Sequence, residues 1–170
     1  MLLFLCILLS FILAEPPFIG EVLHYSAGFR FFPAGYATLS MESDTLEDEV
    51  AYLLISSVRT NSFLDAFYEV RDEIKSWLNP DNLSLKKTVQ SIREGSYHQD
   101  YESIIQGDSL AISADNSKNI PGEVYDPVAF VYYLRMQKLL IGNRYRFFSY
   151  GRKEMKAVIV DVTGKETIKV

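Results

Sequence analysis

Turn-forming residues divide most of the chain into short segments, and this division limits the possible folds more than any other feature of the sequence. Many segments alternate polar and apolar residues or are rich in Tyr, Phe, Val and Ile, as β-strands are. The turn signals are Pro33-Ala34-Gly35, Asn79-Pro80-Asp81-Asn82, Gly95, Pro121-Gly122 and Gly151-Arg152. Short strands joined by such turns predict a mainly β fold with antiparallel pairing.

The predicted strands begin with a hairpin over residues 20–41 that turns at 33–35, followed by an acidic loop over residues 42–49. Further strands are predicted at 51–60, 84–94, 97–105, 109–113, 144–150 and 155–162, with a polar loop over 115–122. Residues 166–170 begin one more strand. Because an unpaired apolar strand at a terminus invites association, we expect the chain to be truncated at its C-terminus.

Two helices are predicted among these strands. Residues 61–78 fit both a helical and an alternating spacing, and we divide them into a short helix near 62–69 and a strand over 69–78. Asn61 or Ser62 would cap that helix. The main helix is predicted at about 126–140. Asp126 can cap its first amide groups, Pro127 suits its first position, and Gly142 marks its end.

Residues 1–14 carry no charge and consist almost entirely of Leu, Ile, Phe, Cys and Ser. The run is shorter than the ~20 residues of a transmembrane helix but matches the ~7–15-residue apolar core of a secretory signal. Ala14 is a small residue at which cleavage is expected. An upstream start, an uncleaved anchor and a buried N-terminal strand are the alternatives. We therefore predict export to the periplasm or outer envelope, with residues 15–170 forming one mainly β domain.

The composition narrows the class of protein. The net charge of −5 makes nucleic acid a poor partner, because phosphates require a basic surface. Aromatic residues make up 14 % of the chain, which is typical of strands with one dry and one wet face. The one cysteine, Cys6, lies in the apolar run, so the exported domain would contain no disulfide. These features favour an envelope domain stabilised by its own core.

The order of these segments resembles the bacterial family catalogued as domain of unknown function 3108, over nearly all of the exported part. The resemblance rests on residues 18–25 (FIGEVLHY), Ala34-Gly35, 68–72 (YEVRD), 94–97 (EGSY), Asp126-Pro127, 132–135 (YYLR) and Gly164-Lys165-Glu166. It implies an antiparallel sheet curved like an open barrel around a helix, similar to the half-barrel of periplasmic lipoprotein carriers. It implies no catalytic residue, because no activity is established for the family.

Metal and catalytic sites have little support in the sequence. His24 and His98 lie far apart without a cysteine partner, so neither a metal nor another cofactor is predicted. Two carboxylates meeting in a cleft could hydrolyse a glycan, and four acidic residues are candidates: Glu21, Asp72, Glu94 and Asp126. The simpler interpretation treats Glu21 and Glu94 as charges at strand ends and Asp126 as a helix cap, with Asp72 paired to a neighbouring arginine.

Arg135 stands among apolar residues of the main helix, next to Tyr132 and Tyr133. If that face is buried, the guanidinium needs a carboxylate partner, for which Glu21 or Glu94 is a candidate. It could instead bind an anionic head group in a bidentate manner. The residues that could contact a ligand are therefore Arg135, Tyr132, Tyr133 and Tyr25.

Three functions remain open. The first is a non-enzymatic envelope protein that binds an apolar or lipid-like ligand in a curved sheet. The second is an envelope assembly or scaffolding module that binds another protein through an exposed apolar patch or sheet edge. The third is a carboxylate-based glycan hydrolase.

Overall fold

The computed structural model describes residues 16–29, 32–107, 109–114, 116–151 and 154–167. The predicted export segment, with Cys6, lies outside the described residues, as do Arg152 and the last three residues of the predicted C-terminal strand. The described elements are, in chain order, β1 (Val22–Phe29), β2 (Phe32–Leu46), β3 (Glu49–Thr60), α1 (Ser62–Asp65), β4 (Arg71–Leu78), β5 (Leu85–Glu94), β6 (Tyr97–Gln106), β7 (Leu110–Ser113), β8 (Asn116–Asn119), α2 (Ala129–Met136), β9 (Arg144–Gly151) and β10 (Glu154–Asp161).

Strands β1 to β8 form one antiparallel sheet in which each strand pairs with the next one in sequence. Strands β9 and β10 form a separate antiparallel pair. This pair is joined to the rest by Tyr125, whose backbone N–H donates to the Phe148 carbonyl and whose carbonyl accepts from Tyr150. Because β1 and β8 do not pair with each other, the eight-stranded sheet is open. The predicted mainly β, antiparallel fold with a main helix is confirmed.

The first hairpin differs from the prediction. Residues Pro33, Ala34 and Gly35 lie inside β2, and β1 ends at Phe29, so the chain reverses earlier than predicted. The predicted acidic loop over 42–49 is also wrong. Strand β2 continues to Leu46, and the reversal is confined to Glu47 and Asp48, which have φ values of 54° and 66°. A two-residue turn of this kind matches the twist of the paired strands. The acidic residues of β2 have a low strand propensity, but their pairing with the apolar strand β3 keeps them in the sheet.

The predicted polar loop over 115–122 also contains a strand, β8, which pairs with β7 at the edge of the sheet. Its four residues are exposed and polar, as suits an edge strand that must not recruit another chain. A strand was also predicted to begin at residue 166, but Glu166 and Thr167 lie in no strand.

Both helices are shorter than predicted. Helix α1 has a single turn, and the Asn61 side chain accepts from the Leu64 N–H at its start. Helix α2 ends at Met136 because Gln137 is extended and Leu139 and Leu140 are exposed, so no apolar contact holds a further turn. Among the described residues, no helix has both the length and the apolar character needed to cross a membrane.

The core lies between one face of the large sheet, helix α2 and strand β9. Residues of six successive strands belong to one continuous cluster, which requires the sheet to curve around it, since strands are spaced ~5 Å apart. The fully buried members on the sheet include Met41, Leu54, Leu78 and Leu85. Phe18 and Tyr132 close the cluster from the other side, with their ring centroids 5.2 Å apart.

Candidate functional site

A half-open pocket of about 430 Å³ lies on the concave face of the sheet, between strands β3 to β5, the start of α2 and the β9–β10 pair. Leu54, Ile74, Pro127 and Val128 supply its apolar surface. The remaining lining residues are polar, charged or glycine: Ser56, Ser76, Gln90, Asp126, Ser149, Gly151, Glu154 and Lys156. The pocket therefore combines an apolar wall with a set of hydrogen-bonding groups.

Strand register explains why the floor of the pocket is polar. Ser76 on β4 lies directly opposite Leu54 on one side and Thr88 on the other, and Thr88 lies opposite Ser103. Directly opposed residues share a face, so three small hydroxyl residues form a row across the concave face. All three are at most 1 % exposed. This hydroxyl row continues from the apolar core into the pocket.

Asp126 lies at the pocket end of the hydroxyl row and is 3 % exposed. Its Oδ1 accepts from the N–H of Val128 at 2.7 Å and of Ala129 at 3.3 Å, which caps the start of α2. Its Oδ2 accepts from the Ser76 hydroxyl at 3.0 Å. Burial raises the pKa of the Asp126 carboxyl, and these three hydrogen bonds oppose that shift.

Gln90 is the second buried polar side chain of the pocket. The side chain is 3 % exposed, and Nε2 donates to the Thr88 hydroxyl oxygen at 3.3 Å. Its Oε1 is buried and has no hydrogen-bond partner in the described part of the chain. If the two amide atoms exchanged places, the other atom would face the same surroundings, so one amide atom of Gln90 lacks a partner in either orientation.

The Asp126→Asn variant is expected to gain stability relative to the wild type as the pH rises. The folded-state pKa lies above the ordinary value of 3.8, so the folded protein binds this proton more tightly than the unfolded chain. The contribution of Asp126 is therefore fully present below the unfolded pKa and is lost as the pH rises through the folded pKa. Asparagine retains an acceptor for the α2 amides without the charge. Urea unfolding at several pH values would measure the difference.

Asp65→Asn serves as the control with the opposite sign. The Asp65 carboxylate accepts from Arg71 at 2.6 Å, and this hydrogen bond holds its pKa below the ordinary value. Its contribution is present above the unfolded pKa and lost as the pH falls, so Asp65→Asn should lose stability relative to the wild type as the pH rises. Parallel pH profiles for the two variants would contradict the prediction.

Three of the four predicted ligand residues, Arg135, Tyr132 and Tyr25, lie together and away from the pocket. The Arg135 guanidinium donates two hydrogen bonds to Glu21, at 2.7 and 3.0 Å, and its central carbon lies 5.2 Å from the centre of the Tyr132 ring. The hydrogen bond is the main reason that the pKa of Glu21 is lowered and that of Arg135 is raised, and the nearby Tyr132 and Tyr25 further raise the pKa of Arg135. The Arg135 side chain remains 43 % exposed, so it is not the buried arginine that the sequence analysis considered, although it does pair with a carboxylate.

Tyr133 lies in a separate aromatic group. Its ring centroid is 5.1 Å from that of Tyr125 and 5.3 Å from that of Phe147. Phe130 and Tyr145 complete the group through further ring contacts with Phe147. The group packs α2 against β9 and contributes no residue to the pocket.

The four candidate carboxylates have different surroundings. Glu21 pairs with Arg135, and Asp72 accepts from the backbone N–H of Arg93 at 2.9 Å. Glu94 ends β5, opposite Tyr97. Only Asp126 lines the pocket, so no second member of the set stands there as a catalytic partner. His24 and His98 are exposed on β1 and β6, and the described residues contain no cluster of three metal-ligating side chains.

Ser76 and Gln90, which line the pocket, and Thr88, which contacts both, were not predicted from the sequence. All three are polar residues at positions where the strand alternation places a core-facing side chain. A polar residue on the apolar face of a strand was the available signal, because buried polar groups are uncommon without a partner. The sequence alone could not show that three such positions stand side by side.

A family model described as Protein of unknown function (DUF3108) matches residues 23–170. Comparison with curated proteins and with solved structures gives no match. The family match agrees with the resemblance noted from the ordered sequence segments and extends over most of the chain. The chain therefore belongs to the DUF3108 family.

Proposed function

We propose that the protein is a non-enzymatic binding protein of the cell envelope that holds a lipid-like ligand in its concave pocket. The observation that carries the proposal is the pocket of about 430 Å³ between the sheet, α2 and the β9–β10 pair. Ligand sites typically have volumes of roughly 300–1,000 Å³ and combine apolar walls with a few polar groups. A fully packed interior would have opposed this function.

The arrangement of the lining suits an amphipathic ligand. Leu54 and Ile74 offer apolar contact on the sheet, while Pro127 and Val128 face them from the start of α2. Asp126 and Gln90 supply buried polar groups at the same site. Transfer of an alkyl chain to such a wall is favourable by about 25 cal/mol per Å² of buried apolar surface. The envelope location rests on the apolar, uncharged residues 1–14.

A matched pair of variants on β3 tests the proposal. Ser56 lines the pocket, whereas the neighbouring Ser57 points to the opposite face of the sheet, and both are half-buried. N-phenylnaphthylamine, which fluoresces more strongly in apolar surroundings, is titrated into each protein. We expect saturable binding by the wild type, at least about tenfold weaker binding by Ser56→Phe, and unchanged binding by Ser57→Phe, where tenfold corresponds to ~1.4 kcal/mol.

The absence of saturable binding by the wild type would contradict the proposal. Equal weakening by the two phenylalanine variants would also contradict it, because the effect would then come from general destabilisation and not from a filled pocket. Native mass spectrometry of protein purified from its own envelope extends the test, since a co-purifying lipid released on denaturation would identify the ligand.

A second candidate is an envelope assembly module, which the exposed aromatic residues around α1 favour. Phe63 and Phe67 are 67 % and 76 % exposed, and their ring centroids lie 5.6 Å apart. Tyr68 beside them is also exposed. Such contiguous apolar groups often mark a contact with another protein. Crosslinking from a cysteine placed at Phe67 would reveal a partner in the native envelope.

A further inference from the structure

We infer that the end of the large sheet that carries α1 is the surface by which the protein contacts a phospholipid bilayer. Five aromatic residues, each at least 50 % exposed, define this aromatic end: Phe32, Phe63, Phe67, Tyr68 and Tyr97. The first begins β2, the next three lie in α1 or just after it, and the last begins β6. A bilayer is a different occupant from the envelope protein of the second candidate function.

The topology brings these residues to one surface. Because successive strands are antiparallel, the β1–β2, β3–β4 and β5–β6 connections all lie at the same end of the sheet. The Asn61 N–H donates to the Ala34 carbonyl at 3.0 Å, which holds α1 next to the start of β2. On the other side, the Gly95 N–H donates to the Glu69 carbonyl at 2.7 Å. The Tyr68 ring lies so close to Gly95 that a Cβ atom there would stand 2.8 Å from a ring carbon.

The charges at the aromatic end suit a phospholipid surface. Asp65 is the only charged residue in the segment 61–68, and the Arg71 guanidinium binds it at 2.6 Å. Arg59 lies with its guanidinium carbon 5.7 Å from the centre of the Tyr36 ring, and it forms no ion pair with another residue in the described part of the chain. An exposed guanidinium of this kind can bind a lipid phosphate in a bidentate manner.

The opposite end of the sheet is acidic. Glu47 and Asp48 form the β2–β3 turn there and Glu49 follows them, and all three are exposed. The negative surface potential of anionic lipids repels this turn and attracts Arg59. Aromatic rings beside a basic residue are also the composition of a protein surface at the level of the lipid head groups. The difference between the two ends therefore favours a bilayer as the occupant of the aromatic end.

The pocket lies between the core and the aromatic end, an argument that rests on the proposed function. Along β3, Leu54 belongs to both the core and the pocket, and Ser56 lines the pocket. Val58 is two residues closer to α1, faces the same side of the sheet and is 43 % exposed. The concave face is therefore open between the pocket and the aromatic end. A lipid-like ligand can pass from a bilayer at that end into the pocket without crossing the core.

Quenching by brominated lipids tests which end of the protein meets the bilayer. Phe67→Trp places a reporter at the aromatic end, and Val50→Trp places one at the opposite end, where Val50 is 65 % exposed. Each protein is purified from the envelope and mixed with vesicles of phosphatidylethanolamine and phosphatidylglycerol brominated on their acyl chains. After subtraction of the wild-type signal from Trp77, we expect at least about fivefold more quenching of the Phe67→Trp reporter. The comparison holds whether or not residues 1–14 remain attached, because both reporters are in the same chain.

Paired serine substitutions measure the contribution of the aromatic side chains, with Phe32→Trp as the reporter at the same end. Phe63→Ser combined with Phe67→Ser removes two exposed rings from the aromatic end. Leu140→Ser combined with Ile141→Ser removes two exposed apolar side chains that lie after α2. We expect the first pair to reduce the quenching at least about threefold and the second pair to leave it unchanged, because only the first loses apolar contact with the bilayer. Thermal unfolding checks that each variant is folded, and the two tryptophan reporters still decide the orientation if one is not.

Equal quenching of the Phe67→Trp and Val50→Trp reporters, or no quenching of either, would overturn the inference. An effect of the phenylalanine pair no larger than that of the control pair would overturn it too. If vesicles leave both reporters unchanged while a crosslinker at Phe67 captures an envelope protein, the aromatic end is a protein contact instead. The proposed function fails separately, through the loss of probe binding at the pocket, because Ser56→Phe should not change the quenching of the Phe67→Trp reporter.

Discussion

Replacing Leu78 with alanine is expected to lower the free energy of unfolding by about 2–5 kcal/mol. Leu78 ends β4, has no exposed surface, and lies opposite Tyr52 on β3 and Leu85 on β5. These neighbours are held by the backbone hydrogen bonds of three adjacent strands, so they cannot move in to fill the space. The variant thus loses both the transfer free energy of the side chain and its packing contacts.

Denaturant unfolding of Leu78→Ala and Leu140→Ala measures this effect against a control of the same chemistry. Leu140 follows α2 and is 50 % exposed, so its truncation should change the free energy by no more than about 0.5 kcal/mol. A loss at Leu78 no larger than the loss at Leu140 would show that the sheet does not enclose the core as described.

Replacing Gly35 with alanine is expected to lower the free energy of unfolding by about 1–3 kcal/mol. Gly35 lies within β2, where a Cβ atom would stand 2.5 Å from the carbonyl oxygen of Arg59 on β3. The obstructing atom belongs to the backbone of a paired strand, since Gly35 faces Thr60 in the ladder. Relief of the overlap therefore requires the two strands to separate locally.

Gly164→Ala is the matched control, because a Cβ atom there would meet nothing within 4 Å. That substitution should be neutral or slightly stabilising, since alanine reduces the entropy of the unfolded chain. Thermal unfolding of both variants gives the comparison. Equal midpoints for Gly35→Ala and the wild type would contradict the close approach of β2 to β3.

The structure around Leu78 could be predicted from the sequence, whereas the structure around Gly35 could not. The strand ending at Leu78 was predicted correctly because Asn79-Pro80-Asp81-Asn82 forms a local turn whose chemistry does not depend on the rest of the fold. Gly35 was misread as part of a turn. Glycine is needed there because the backbone of β2 passes close to the carbonyl oxygen of Arg59, a residue that is distant in sequence. A glycine has the same letter in either role, so the sequence could not separate them.

The extent of α2 illustrates the same limit. Asp126 was recognised as a cap because its acceptor and the amides it serves are neighbours in sequence. The end of the helix at Met136 depends instead on whether Leu139 and Leu140 find an apolar surface, and both are exposed. Helical periodicity gives the direction of a side chain but not the presence of a partner for it.

The sequence alone determined the antiparallel β class, most strand positions, the family and the cap at Asp126, because turns, alternation and caps depend on residues close in the chain. Only the tertiary structure decided the pairing of Arg135 with Glu21, the hydroxyl row from Ser76 and the pocket with its unpartnered Gln90 oxygen. These features join residues that are distant in the chain. Alternation fixes which face a residue occupies, whereas register and sheet curvature fix which distant residues it meets there.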